Sequence, residues 1–274
     1  MTPFSLKTQI EKRPLLFFFL LTFLISWIGW GFQLAYALRW IAFHSVGFSI
    51  LAGLGPAIAA IILTLLLSGF KGFRRLLGAF FRKGARWIWF LIALALQPLI
   101  TLIALGLERI FSIETFDFAD FPGAPAFFTF FAAMLIANIW EEIGWRGFAL
   151  PRLQKRFSPL GASLILGVFV SLWHLPLLLN PTEEMSVIPI WAELPYSLAL
   201  SMLYTWLYNK ANGNLTVVTL GHAMINAVAL LMMLEHPNSN THVLINIAVT
   251  IVFAAVVASL QMSPKANMKR VTEV

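Results

Sequence analysis

A helix that crosses the ~30 Å hydrocarbon core of a bilayer needs about 20 mostly apolar residues. This chain of 274 residues holds eight stretches that meet or approach that need. They run over about residues 15–38, 46–69, 87–107, 126–149, 159–179, 190–208, 215–234 and 243–261, with ends set to within roughly two to four residues. The sixth is the most polar. Pro189, Glu193 and Pro195 interrupt its start, so its helix can begin as late as Pro195, where proline is tolerated in a first turn. Only 11% of the residues are charged and 59% are apolar, against about 25% and 45–50% in an average soluble domain. That excludes a single soluble globule, and disorder with it, since disorder needs low hydrophobicity and high net charge. No stretch alternates as a barrel strand does. The expected fold is all-α: a polytopic membrane helical bundle of about eight transmembrane helices, with residues 1–274 forming one integral-membrane domain. No internal repeat, low-complexity tract or second domain is visible.

The first apolar run follows Lys7, Lys12 and Arg13, as in a signal peptide. It is too long for such an h-region, lacks a small-x-small cleavage site and is followed by more spans, so it reads as a retained first helix. Lysine and arginine in short loops set orientation. With a cytoplasmic N-terminus and eight spans, 16 of the 19 basic residues fall on the cytoplasmic side. They include the run from Lys71 to Arg86 and the tail residues Lys265, Lys269 and Arg270. Only Arg39 and Arg109 face the other side, alongside Glu108, Glu114, Asp117, Asp120, Glu183, Glu184 and Glu235. Both termini are therefore expected in the cytoplasm, in a multi-pass protein of the plasma (cytoplasmic) membrane. The segment 71–86 mixes six basic residues with Phe, Leu and Ala and is expected along the cytoplasmic interface. The acidic, aromatic loop 108–125 is expected to form a structured cap. The net charge of +7 is spread between apolar runs, so it points to membrane orientation and not to a nucleic-acid surface. The absence of cysteine excludes thiolate metal sites, disulfides and cysteine nucleophiles.

Ionisable residues inside spans cost roughly 2.5–3.5 kcal/mol each on insertion scales and are functional candidates by default. Here they gather in three spans. The fourth holds Trp140-Glu141-Glu142-Ile143-Gly144-Trp145-Arg146, the fifth ends in Ser171-Leu172-Trp173-His174-Leu175-Pro176, and the seventh holds Gly221-His222-Ala223-Met224-Ile225-Asn226. Glu142 and Arg146 stand at i,i+4 and can pair on one helix face. Glu141 lies about 100° further round and is free to face another neighbour. His222 and Asn226 are also at i,i+4. Three spans can thus aim one carboxylate, two imidazoles and an amide at a common cavity. On helical rise, Glu141 and Asn226 lie on the order of 13 and 17 Å into their spans, and His174 on the order of 22 Å.

Each element has a structural reading of its own: an ion pair for Glu142 and Arg146, packed histidines, interhelical glue for Asn226. Structure alone does not call for a second, unpaired glutamate beside two histidines. Such a glutamate is what desolvation tunes into a catalytic base.

At these residues the chain resembles the CPBP family, also called Abi or CAAX-protease-like intramembrane proteases. The family carries E-E-x-x-x-R, F-x-x-x-H and H-x-x-x-N on separate membrane helices. Glu141, Glu142 and Arg146, followed by Gly147, match the first, and His222 and Asn226 match the third. The second is matched at His174, but Val170 stands where the family has Phe, with Phe169 one residue early. The resemblance covers about residues 126–234. It implies an endopeptidase that cleaves a hydrophobic or lipidated peptide within or at the lipid bilayer. Glu141 would activate a water, His174 would help hold it, His222 and Asn226 would bind the oxyanion, and Glu142 and Arg146 would support the site. The family is widely labelled metalloprotease, and a zinc site would use Glu141, His174 and His222. The metal-free glutamate mechanism, with no cofactor, is favoured because Asn is a poor zinc ligand and a His/Asn pair suits an oxyanion. The competing readings are a proton- or ion-coupled transporter, since Glu/His chains also relay protons, and a catalytically silent membrane scaffold. No inverted repeat or pair of broken helices supports a carrier, and no nucleotide or nucleic-acid motif is present.

Overall fold

The apolar runs fold as helices, and a computed structural model of the chain describes residues 6–111, 113, 123–235 and 240–261. In order they are α1 (Leu6–Lys12), α2 (Pro14–Ala37), α3 (Val46–Gly53), α4 (Gly55–Gly78), α5 (Ile88–Ile110) and α6 (Gly123–Glu142). A wide π-helical turn (Ile143–Ala149) carries α6 into α7 (Leu150–Gln154). Then follow α8 (Pro159–Trp173), α9 (Leu175–Leu178), α10 (Ile190–Lys210), α11 (Leu215–Glu235) and α12 (Asn240–Gln261). No strand occurs among the described residues. The chain is an all-α, multi-pass integral membrane protein, as its composition requires.

Among the described residues, six helical stretches are long and apolar enough to cross a membrane: Pro14–Ala37, Gly55–Phe81, Ile88–Ile110, Gly123–Gln154, Leu215–Met232 and Thr241–Leu260. The other two expected spans differ for physical reasons. The fifth is broken after 15 residues at His174, because Pro176 starts the short α9. Alone it extends ~22 Å, short of the ~30 Å core. The sixth, α10, starts at Ile190 and absorbs Pro195 within its first turns, so it does not wait for that proline. It carries the buried Glu193. The second expected span is also interrupted. Leu54 ends α3, and Gly55-Pro56 opens α4. A further kink at Gly69 (φ 59°, ψ −162°), a backbone region open to glycine, redirects the chain before the basic stretch from Lys71.

The loops at each end of the bundle are tied together by hydrogen bonds. Asn212 Nδ2 donates to Lys83 O (3.3 Å), Asn214 Nδ2 to Arg82 O (2.7 Å) and Thr216 Oγ1 to Phe80 O (2.7 Å). The basic 78–86 segment thus sits on the α10–α11 turn. At the far end of α5, Glu108 Oε1 meets His242 Nδ1 of α12 at 2.8 Å, both buried. Below them Gln97, Thr101 and Asn246 share a hydrogen-bonded cluster between the same two helices. A small cavity of about 30 Å³ adjoins it, lined in part by Thr101, Tyr196, His242 and Asn246. The acidic residues Glu114, Asp117 and Asp120 of the expected cap, and the tail residues Lys265, Lys269 and Arg270, lie outside the described residues.

An aromatic wall holds the functional half of the bundle. Phe18 of α2 stacks on Phe148 (5.1 Å) and meets Trp145 edge-on (5.6 Å). Trp145 in turn meets Trp173 edge-on at 5.4 Å, and Trp30 lies 4.5 Å from Trp173. Trp27 Nε1 donates to the last carbonyl of α8, at Trp173 (3.2 Å). Each such ring pair contributes ~0.5–1.5 kcal/mol beyond the area it buries. Phe169 stacks on Phe19, so the ring that stands one residue early in the second motif still packs on α2.

Candidate active site

The first motif closes α6 and opens the π-helical turn. Turns of this kind widen a helix and recur at functional sites. Glycine makes the close packing here possible: a Cβ on Gly144 would lie 2.6 Å from Pro56 O and 2.7 Å from its carbonyl carbon. The start of α4 therefore presses directly on the backbone between Glu142 and Arg146.

Glu142 is fully buried, and its Oε1 is shared. Arg146 Nη1 donates to it at 2.9 Å, and His222 Nδ1 of α11 lies 2.8 Å away. The expected i,i+4 ion pair is thus formed, and it reaches a second helix. Arg146, 2% exposed, also places its guanidinium over the Tyr204 ring of α10 (4.7 Å). Tyr204 in turn lies 4.8 Å from the His222 ring. A carboxylate is acceptor-only, so opposite an ionised Glu142 the donor is His222 Nδ1. A neutral His222 then has an unprotonated Nε2, and Nε2 becomes a donor only when the ring is an imidazolium.

Asn226, one turn further along α11, donates from Nδ2 to Asn138 Oδ1 of α6 at 3.2 Å. That contact uses one of its two amide protons. His174 stands at the α8–α9 break, its backbone N donating to Val170 O (3.2 Å). Its Nδ1 faces Glu193 Oε1 of α10 at 3.7 Å. Glu141 is half-buried, makes no hydrogen bond among the described residues, and lies within electrostatic range of both His174 and Tyr204. Direct contact therefore unites Glu142, Arg146 and His222. Asn226 is tied to the same helix one turn away, while Glu141 and His174 sit nearby without a bond to that trio.

Residues 123–228 match the family model described as type II CAAX prenyl endopeptidase, Rce1-like. That stretch contains all three motifs and every polar side chain just placed. Over these residues the chain is similar to the CAAX-protease-like family. Over 144 residues it is 31% identical to CAAX prenyl protease 2 of Methanococcus maripaludis, a match that covers 49% of this chain and 53% of that protein. The chain thus spans about half the length of the curated relative it matches.

The label metalloprotease, attached to CAAX-protease-like proteins, makes zinc the group to test. The residues do not fit one as they are arranged. No three or more His, Asp or Glu side chains among the described residues are grouped to hold a metal ion. The two histidines turn Nδ1 to different carboxylates, Glu142 and Glu193.

Four contributors escaped the sequence reading as site residues: Asn138, Glu193, Ser197 and Tyr204. Asn138 had a legible signal, standing four residues before Glu142 and so on the same face. Glu193 and Ser197 repeat that i,i+4 spacing in α10, where Ser197 Oγ donates to Glu193 Oε1 at 2.5 Å. Tyr204 had none, because an aromatic residue in an apolar helix reads as packing.

Proposed function

We propose that this protein is an intramembrane endopeptidase that hydrolyses a peptide bond of a hydrophobic or lipidated peptide, with a glutamate-activated water. The observation that carries the reading is the pairing of an uncommitted Glu141 with a fully buried Glu142–Arg146–His222 cluster inside apolar helices. Such burial is expensive for scaffolding alone.

In this mechanism Glu141 takes a proton from a water held against His174, and the oxygen attacks the scissile carbonyl carbon. The resulting oxyanion accepts hydrogen bonds from His222 Nε2–H and the second amide proton of Asn226. Such donors commonly contribute ~2.7–4 kcal/mol each. For His222 the role requires the imidazolium, and the Glu142 carboxylate on Nδ1 is the group that stabilises it. Arg146 pairs with the same carboxylate. Collapse of the intermediate breaks the C–N bond, and the proton on Glu141 passes to the leaving amine.

The family and the relative named CAAX prenyl protease 2 make a prenylated C-terminal tail the first substrate to try. Purified protein in lipid nanodiscs should cleave a fluorogenic farnesylated CAAX peptide. Glu141→Ala and His222→Ala should each abolish cleavage while the protein stays folded. Persistent cleavage by either variant would sink the roles assigned here. Activity lost to a chelator and restored by zinc would overturn the metal-free mechanism.

A further inference from the structure

Both histidines of the site show the same arrangement, and the reading so far uses only half of it. His222 Nδ1 meets a buried carboxylate, Glu142, at 2.8 Å. His174 Nδ1 faces a second buried carboxylate, Glu193, at 3.7 Å. Glu193 is 2% exposed and sits inside α10, where a carboxylate in an apolar helix is costly without a partner. Ser197 Oγ fixes its Oε1. Its Oε2 and His174 Nδ1 are both buried atoms with no hydrogen-bond partner among the described residues. The separation lies ~0.5 Å beyond the usual N–H···O limit of about 3.2 Å, so a small shift of either side chain joins them. The two helices that carry the pair, α8 and α10, are packed together along their length. Gly167 rests against Leu198 and the Ser197 carbonyl.

We propose that Glu193 is the positioning residue of His174: it accepts the Nδ1 proton and so leaves Nε2 as a lone-pair acceptor for the attacking water. The partner on one ring nitrogen sets the tautomer and the role of the other. A water that donates one proton toward Glu141 and the other to His174 Nε2 keeps an oxygen lone pair free for the carbonyl carbon. With the opposite tautomer, Nε2–H would compete for that lone pair. The inference rests on the hydrolytic reading of the site for its kinetic consequence, but the tautomer itself can be read without turnover.

The test uses the full-length protein in nanodiscs, with ¹⁵N-histidine NMR and cleavage of the farnesylated CAAX peptide. The His174 signal is assigned by its loss in His174→Gln. Wild type should show neutral His174 protonated at Nδ1. Glu193→Ala should move it to the Nε2–H form or a mixture. The same variant should lower kcat by about 10–100-fold, the range seen when a carboxylate behind a functional histidine is removed, with KM within twofold. Glu193→Gln keeps an acceptor oxygen and should recover most of the rate. It also serves if Glu193→Ala fails to fold. An unchanged tautomer in Glu193→Ala, or a kcat at the wild-type level, overturns the proposal. So does Nε2–H in the wild type. If wild type itself cleaves nothing, the endopeptidase reading falls, while the tautomer measurement still decides whether Glu193 positions His174.

Discussion

The Arg146 guanidinium offers the sharpest energetic test of the cluster. Arg146 is 2% exposed and lies 2.9 Å from a Glu142 that is completely buried. Replacing it with methionine keeps a side chain of similar length and removes the charge. Glu142 is then left with His222 alone, and breaking a buried ion pair at one end typically costs about 3–5 kcal/mol. Loss of the contact over Tyr204 falls within that range, since a desolvated cation–π pair is worth ~0.5–2 kcal/mol. Adding Glu142→Gln to Arg146→Met removes the stranded charge and should recover most of the loss. Replacing both members of a buried pair by neutral groups is often nearly neutral. For a chain of this size about 2 °C of Tm corresponds to 1 kcal/mol. Arg146→Met should therefore melt ~6–10 °C below wild type in nanodiscs, and the double variant within a few degrees of it. The double variant should not cleave peptide, because it removes the Glu142 carboxylate that stabilises His222 as an imidazolium. An Arg146→Met variant within ~2 °C of wild type would refute the reasoning. A double variant no more stable than the single would do the same.

Gly144→Ala should destabilise the protein by about 1–3 kcal/mol, the usual cost of overpacking, because its Cβ would strike the Pro56 backbone. Gly106→Ala, in α5 with open space around it, should be neutral or stabilise by up to ~1 kcal/mol. Equal melting temperatures for the two variants would show that the α4 contact does not constrain the site. A double-mutant cycle on Asn138→Ala and Asn226→Ala should give a coupling near 0.6 kcal/mol, typical of interhelical hydrogen bonds in membranes. A coupling indistinguishable from zero would remove their contact from the account. His242→Leu strands the buried Glu108 carboxylate and should lower Tm while leaving kcat of the folded protein unchanged. A kcat loss as large as that of Glu141→Ala would place the α5–α12 cluster in the reaction.

The helical class, the three functional helices and the Glu142–Arg146 pair were all legible in the sequence, because each follows from a period. Runs of about 20 apolar residues define spans, and i,i+4 spacing defines a shared face. What depends on contacts between helices was not legible. Nothing local marks Tyr204 as the neighbour of both Arg146 and His222. Glu108 read as a loop acid because α5 ends at Ile110, about a turn beyond the expected boundary. Its partner His242 lay just outside the expected last span for the same reason. The length of α8 was misjudged because apolar residues continue past His174. Only the proline two residues on, which lacks an N–H and clashes with the preceding turn, ends the helix there.

That break is functionally the more informative part. A continuous fifth span would carry His174 on the flank of a helix, with its backbone N–H and C=O satisfied along the ladder. Ending α8 at Trp173 puts His174 at the α8–α9 junction, where its N–H still donates to Val170 O at 3.2 Å and its carbonyl accepts from Leu177 and Leu178 at 2.9 and 3.1 Å. The wide turn after Glu142 does the same for the first motif, setting Arg146 and Glu142 in contact while Gly144 lets α4 close over them. In both places regular helix gives way next to a chemically committed side chain. Irregular backbone at membrane depth is tolerated only where protein or a water-filled space surrounds it. The aromatic wall of Phe18, Trp30, Trp145 and Trp173 supplies the protein side of that enclosure. It also ties the two irregular segments to each other through the Trp145–Trp173 contact. A substitution that loosened this wall would thus alter the placement of Glu142 and His174 together, although it touched neither.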